Sequence, residues 1–133
     1  LRDRRDAGRG RRPPHPVSVA PDLRALVRDG LRLYNAGRFW EAHEALEVVW
    51  RAAPEPEREH WQGLIQAAAA LLHRERGNAH GVRVVGAGAL AKLKAPAPPA
   101  FPVETTRFCE ALARCLDGQG PVPPMELIAG AWR

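Results

Sequence analysis

The sequence predicts an all-α protein, a compact antiparallel bundle of about five helices with no sheet. Apolar residues make up 45% of the chain and aromatic residues only 6%, and much of the apolar share is alanine, the residue with the highest helix propensity. Apolar positions recur at three- and four-residue spacing in several segments, which is the period of an amphipathic helix. No segment shows the sustained alternation that is typical of a strand.

Composition divides the chain into three parts. Residues 1–20 are predicted to be a basic, flexible N-terminal tail, residues 21–117 the helical bundle domain, and residues 118–133 an irregular C-terminal tail. Residues 1–12 hold six arginines and two aspartates, so they account for +4 of the net charge of +5. The basic character therefore belongs to the tail, and we do not expect the folded body to bind nucleic acid.

The first two predicted helices are joined by a short turn. Helix one begins at Pro21, which suits a first helical turn, and it ends at Asn35-Ala36-Gly37, where glycine fits the left-handed position after a helix. Its apolar positions are Leu23, Leu26, Val27, Leu31 and Tyr34. Helix two follows from about Arg38 to Ala52 and is broken by Ala53-Pro54-Glu55-Pro56.

Three more helices are predicted after this break. Helix three runs from about Pro56 to Arg76, and Asn78 is a natural N-cap for helix four. A proline-rich connector leads to helix five, from about Val103 to Leu116. The inward positions of the three helices are Trp61, Leu64, Ile65, Ala68, Leu71 and Leu72, then Val82, Val85, Ala89, Leu90 and Leu93, then Phe108, Leu112 and Cys115.

The cysteines and the lack of long apolar segments indicate the cellular setting. Cys109 and Cys115 lie on the same predicted helix, with Cα atoms about 9 Å apart along its axis, whereas a disulfide needs less than about 7 Å. Two reduced thiols favour a cytoplasmic protein. No segment approaches the roughly 20 apolar residues of a membrane span, so we expect no membrane partner.

Helix two carries polar residues beside its apolar centre. On a helical wheel, His43 lies next to that centre and Glu47 lies one turn further on the same flank. Trp40 is beside this pair, whereas Glu44 points further outward. We therefore take His43 and Glu47, with Trp40 nearby, as the first half of a candidate site.

Helix three carries the second half. Gln62, Gln66 and His73 share one edge of its wheel, beside an apolar face. If this edge meets that of helix two, the bundle holds a polar seam between the two helices. We interpret the seam as the pocket of a binding or interaction module for an unknown small molecule or protein partner, with no cofactor. A homo-oligomer is the further assembly that we consider.

Two other interpretations of the seam stay open. A histidine, a carboxylate and glutamines can form a hydrogen-bond network that only fixes helix register. The alternative function is a metal-binding protein or a hydrolase-like enzyme that uses His43, Glu47 and His73. His43-Glu44-x-x-Glu47 is similar to the zinc helix H-E-x-x-H but lacks its second histidine, so zinc would need His73 or another donor. We expect no metal.

Two long motifs resemble a known family. Residues 33–50, LYNAGRFWEAHEALEVVW, and 61–73, WQGLIQAAAALLH, followed by Gly77-Asn78 and Gly81, are similar to the signature of the domain-of-unknown-function family numbered 309. The resemblance covers about residues 21–116. It implies a helical bundle in a bacterial or archaeal cell and no particular reaction. The matching polar positions are His43, Glu44, Glu47, Gln62, Gln66, His73 and Asn78.

A shorter segment resembles another kind of protein. Residues 35–42 are similar to one hairpin of a tetratricopeptide repeat, with a glycine turn, an aromatic residue and Glu-Ala. The repeat period of about 34 residues is missing, because no second copy follows. We interpret this likeness as the same local way of packing two antiparallel helices.

Overall fold

Five helices follow one another in the computed structural model, which describes residues 16–132. They are α1 (Pro16–Asn35), α2 (Phe39–Ala52), α3 (Arg58–Glu75), α4 (Ala79–Lys94) and α5 (Thr106–Leu116). Between residues 16 and 132 there is no strand, and an isolated bridge pairs Val103 with Leu127. The predicted all-α class is confirmed. None of the described helices is long and apolar enough to cross a membrane.

The start of the first helix was predicted wrongly. α1 begins at Pro16 rather than Pro21, so residues 16–20 of the predicted flexible tail are helical. Pro16 occupies a first helical position, where a missing N–H costs no hydrogen bond. Pro21 lies one turn further on and removes a single bond of the helix. The remainder of the predicted tail, residues 1–15, lies outside the described residues.

The core is formed by the inner faces of all five helices. The helical periodicity predicted its largest members correctly, because apolar side chains at three- and four-residue spacing all point to the same side. Fully buried leucines and valines come from every helix: Val27, Leu46, Leu64, Leu71, Leu93 and Leu112. Cys109 and Cys115 both lie on α5 and are free thiols.

α3 occupies the middle of the bundle, because it packs against α2 on one flank and α4 on the other. Its buried positions include Gly63, Ala67, Ala68 and Ala70. Side chains this small allow the backbones of neighbouring helices to approach closely. The leucine side chain of Leu93 fills the space over Gly63, where an added Cβ would lie 2.8 Å from its Cδ2 atom.

The segment after α5 packs against the helices. The Tyr34 hydroxyl donates a hydrogen bond to the carbonyl oxygen of Pro123 over 2.8 Å, and burial raises the pKa of that phenol. The Asn35 amide donates to the Met125 carbonyl and accepts from the Met125 N–H, both over 2.9 Å. Met125 is 1% exposed. Residues 118–132 of the predicted irregular C-terminal tail contain no helix, and they contact the bundle through these hydrogen bonds.

The two hydrogen bonds of Asn35 lead to a first prediction. We expect Asn35→Ala to lower the free energy of unfolding by about 1–3 kcal/mol, because it leaves the backbone N–H and C=O of Met125 without their partners. Urea denaturation measures this change. Gln119→Ala, at an exposed position, should change stability by less than about 0.5 kcal/mol. Equal effects of the two substitutions would contradict the role given to Asn35.

The close approach at Gly63 leads to a second prediction. Replacing a glycine inside a helix with alanine usually stabilises it by about 0.5–1 kcal/mol. At Gly63 we expect the opposite, a loss of about 1–3 kcal/mol, because the new methyl group would overlap Leu93. In a Leu93→Ala background, which lacks both overlapping atoms, Cγ and Cδ2, Gly63→Ala should cost less stability in chemical denaturation than it does in the wild type. A Gly63→Ala variant more stable than the parent would show that this contact is loose.

Candidate functional site

One edge of α2 presents two tryptophans, a histidine and a glutamate. Trp40, His43, Glu47 and Trp50 follow one another at spacings of three, four and three residues, which keeps them on one flank of the helix; we call them the α2 edge. Trp40 is 49% exposed, whereas the other three are partly buried. The flank therefore lies at the border between the core and solvent, as the helical wheel predicts.

The start of α2 is held by a local ion pair. The helix has no side-chain cap at Arg38, but the Arg38 guanidinium donates to the Glu41 carboxylate over 2.7 Å. This hydrogen bond holds the pKa of the Glu41 carboxyl below its ordinary value. The pair fixes the first turn of α2, directly beside Trp40.

Trp40 and His43 form a stacked pair on the α2 edge. Their ring centroids are 5.5 Å apart and the ring planes differ by 12°. The Nδ1 atom of His43 is buried and has no hydrogen-bond partner among the described residues. A buried polar atom in this state costs free energy, since it has lost water without gaining a protein partner.

Glu47 is bonded to Arg51 of its own helix. The Arg51 guanidinium donates to the Glu47 carboxylate over 3.3 Å, and the two residues are four apart, the spacing at which opposite charges on a helix meet. The helical wheel predicts that Glu47 pairs with His43, which lies four residues before Glu47, whereas Arg51 lies four residues after it. In the structure Glu47 pairs with Arg51, at the solvent side of the helix, where the two side chains are 37% and 65% exposed. Glu44 is exposed, as predicted.

The polar edge of α3 lies between α2 and α4. Gln62, Gln66 and His73 make up this α3 edge. The Gln66 carboxamide lies against Gly88 of α4, where an added Cβ would be 3.2 Å from both its Nε2 and its Oε1 atom. The ring of His73 lies against Gly81 of α4 in the same way. The two glycines leave space for these polar side chains, so the predicted seam with α2 is wrong for Gln66 and His73.

His73 and Asn78 form a hydrogen-bonded cap at the start of α4. The Asn78 amide donates to Nδ1 of His73 over 3.1 Å, and its Oδ1 atom accepts from the Gly81 N–H over 2.9 Å. The predicted N-cap role of Asn78 is confirmed. These hydrogen bonds give His73 and Asn78 a structural role at the start of α4.

Gln66 carries a second buried atom without a partner. Among the described residues, the buried side-chain atoms that lack a hydrogen bond are Oε1 of Gln66 and Nδ1 of His43. Both residues are members of the candidate set that the sequence predicted. They lie on the two helices that were expected to form the site, each at the edge of the core.

A cavity lies where the end of α2 meets the start of α3. It measures about 400 Å³, and its walls include Trp50 and Gln62. The Arg58 guanidinium lies over the Trp50 ring, 4.7 Å from its centroid, and its Nε donates to the Trp50 carbonyl oxygen over 3.2 Å. Gln62 is therefore the member of the α3 edge that faces α2, while Gln66 and His73 face α4.

The alternative set of His43, Glu47 and His73 is not assembled into a metal site. In the described part of the chain there is no group of three or more His, Cys, Asp or Glu residues that could hold a metal ion. Glu47 is bonded to Arg51 and His73 to Asn78. Nothing in this geometry supports metal-assisted or hydrolase-like chemistry by these three residues.

Sequence reasoning missed one buried histidine. His60 is 4% exposed, its Nε2 atom lies 3.0 Å from the carbonyl oxygen of Ala95, and its ring packs against Phe101 with centroids 5.4 Å apart. It ties the start of α3 to the end of α4. The sequence feature that indicates the burial of His60 is its position four residues before Leu64, on the buried face of α3.

Comparison with known proteins finds similarity over the part of the chain that holds these residues. Residues 27–85 match the family described as "Domain of unknown function (DUF309)". The chain is similar to "Uncharacterized protein YpuF" of Bacillus subtilis (strain 168), with 38% identity over 69 residues, which is 50% of this chain and 40% of that relative. No solved structure gives a significant match. Every candidate residue from Trp40 to Asn78 falls inside the range that matches this family model.

Proposed function

We propose that this protein is a binding module that holds polar groups of a ligand at two positions, His43 on the α2 edge and Gln66 where α3 lies against α4. The observation that carries the proposal is the pair of buried, unpartnered atoms, His43 Nδ1 and Gln66 Oε1. Most buried polar atoms in folded proteins are hydrogen bonded, and leaving one unpaired costs about 1–3 kcal/mol. Both atoms are buried in the ligand-free protein, so we propose that their side chains rotate to bond to a ligand, which then removes that cost.

The chemistry of the two atoms limits the ligand. A carboxamide oxygen only accepts hydrogen bonds, whereas an imidazole nitrogen donates or accepts according to its tautomer. The ligand therefore needs at least one N–H or O–H donor for Gln66. An alcohol, an amine or an amide group meets this requirement.

The tryptophans of the α2 edge supply apolar contact area beside these polar atoms. Tryptophan is enriched at binding surfaces, because its large rigid ring buries much area at little entropic cost. Trp40 is held by its stack on His43, and Trp50 by Arg58.

Binding is favoured over catalysis by the partners of the titratable groups. A general base needs to reach the group that it deprotonates, and a third residue commonly orients it. Glu47, the carboxylate nearest along α2, is engaged by Arg51, and His43 stacks on Trp40. Among the residues that the structure describes, no carboxylate is hydrogen bonded to Nδ1 of His43, as one would be in an acid–base pair.

A stability measurement tests whether Gln66 serves ligand binding rather than the stability of the fold. We expect Gln66→Met, which has a similar volume and no polar atom, to raise the free energy of unfolding by about 1–2 kcal/mol, because it removes the unpaired oxygen. Urea denaturation of the ligand-free protein measures this gain. His73→Met is the matched control; it should lower stability, because His73 has a partner in Asn78. A loss at Gln66 comparable to that at His73 would mean that Gln66 is a structural residue.

A binding screen tests the proposed function itself. Amino acids, nucleosides and sugars are added separately, and the shift in melting temperature is measured. We expect one class to raise the melting temperature of the wild-type chain, and His43→Phe and Gln66→Met to weaken its affinity at least about tenfold, since each removes a hydrogen bond to the ligand.

Glu110→Gln, an exposed substitution on α5, serves as the control and should bind like the wild type. The proposal would be contradicted if none of the three classes bound, or if the bound compound stabilised His43→Phe and Gln66→Met as much as the wild type. In the second case the ligand would occupy another surface.

A further inference from the structure

We propose that the cavity beside the first half of α1 binds the ring of a small aromatic molecule, and that Trp132 is the movable cover of this site. The cavity measures about 160 Å³, and an apolar protein cavity of about 150 Å³ is large enough to hold benzene. Neither His43 nor Gln66 lines it. Most of its wall residues are apolar, and they include Leu23, Val27, Val49, Ala53, Trp61 and Pro102.

Trp132 is the wall residue that two cations hold in place. It lines the cavity and is partly buried. The guanidinium groups of Arg24 and Arg28 lie over its ring, 5.5 and 5.2 Å from the ring centroid. Both arginines are exposed, and the attraction between a cation and an aromatic ring is weaker at exposed sites than at sites without water. The ring is therefore held against α1 by contacts that compete with solvent.

Backbone strain is concentrated at the same cavity. In the described part of the chain, the residues other than glycine with a positive φ are Ala100, at 68°, and Trp132, at 59°. Both line this cavity. Side chains with a Cβ atom rarely adopt this left-handed region, and residues held there cluster at ligand clamps and switch regions. The backbone of Trp132 relaxes when its ring leaves the cavity, so the strain favours opening.

The chain before and after Ile128 is held to different degrees. The Ile128 N–H donates to the Pro102 carbonyl oxygen over 2.7 Å, which fixes this point to the body of the protein. Beyond it, up to residue 132, the chain makes one backbone hydrogen bond, from the Ala131 N–H to the Ile128 carbonyl oxygen. That bond closes a local turn and ties the turn to no helix. The ring of Trp132 can therefore swing away while the chain up to Ile128 stays in place.

The contacts around the cavity favour an aromatic ring over an aliphatic one. A ring that displaces Trp132 takes over its place beside Arg24 and Arg28, and cations of this kind are attracted to the face of a π system. Trp61 supplies a second aromatic surface in the cavity wall. Arg24 and Glu57, the charged residues among those that line the cavity, have opposite signs. The ring of the ligand, and not its charge, is therefore what the site selects.

Fluorine-19 NMR of the full chain labelled with 5-fluorotryptophan tests the proposal, with indole as the probe. The chain has four tryptophans, and Trp→Phe variants assign their resonances. We expect indole to bind the wild type saturably and to move the resonance of Trp132 toward that of the free amino acid. The resonance of Trp61 should also move, because Trp61 lines the cavity, whereas that of Trp40 should stay in place.

Variants separate displacement of the cover from general apolar attraction. Trp132→Ala should bind indole at least about tenfold more tightly than the wild type, because indole binds only to the fraction of wild-type molecules whose cover is open. Ala53→Leu, which fills the cavity, should abolish binding, and Leu23→Phe repeats the block if circular dichroism shows that Ala53→Leu is unfolded. Val84→Ala, at a position 57% exposed on α4, is the control and should bind like the wild type.

A second probe tests the preference for an aromatic ring. Cyclohexanol has an apolar ring of similar width and no π system, so we expect it to bind at least about threefold more weakly than indole. Equal affinity for the two compounds would overturn the assignment of an aromatic ligand.

Three further results would overturn the proposal. The first is the absence of saturable indole binding by the wild type, which would make Trp132 a fixed part of the core. The second is binding that moves the resonance of Trp40 and leaves that of Trp132 in place, because indole would then lie on the α2 edge. The third is a Trp132→Ala variant that binds indole no more tightly than the wild type. None of these results bears on His43 and Gln66, which do not line the cavity.

Discussion

The packing of α3 between two other helices is the constraint on which the rest of the structure depends. α3 has to contact α2 on one flank and α4 on the other, and it does so with alanine and glycine at its buried positions. Small side chains bring the helix axes together, so space near the edges of α3 becomes scarce. The polar residues at the edge of α3, Gln62, Gln66 and His73, are each partly buried.

Because these side chains are partly buried, the hydrogen bonds that they make or lack affect the free energy of folding. His73 is accommodated, because Asn78 donates to its ring and Gly81 leaves room for it. Gln66 is also enclosed, against Gly88, but its oxygen has no partner among the described residues. The two side chains lie on one edge of one helix and differ only in whether the fold completes their hydrogen bonds. That difference is why we place the ligand at Gln66 and not at His73.

Helical periodicity predicted much of the fold and part of the site. It placed His43 and Glu47 at the border of the core and identified Asn78 as a cap, because both depend on positions within a single helix. It could not assign the neighbour of Gln66, since a helical wheel gives the direction of a side chain and not the helix that it meets. The buried Met125 was missed for a related reason, because its segment has no periodic pattern.

The central claim is that the fold leaves His43 Nδ1 without a protein partner so that a ligand can use it. Nitrogen-15 NMR of the imidazole side chains at neutral pH tests this claim most directly, because the chemical shift of a ring nitrogen responds to hydrogen bonding. In the ligand-free protein, we predict for Nδ1 of His43 the shift of a nitrogen without a hydrogen bond to the protein. A shift typical of a hydrogen-bonded nitrogen, with coupling to a protein donor or acceptor, would contradict the account.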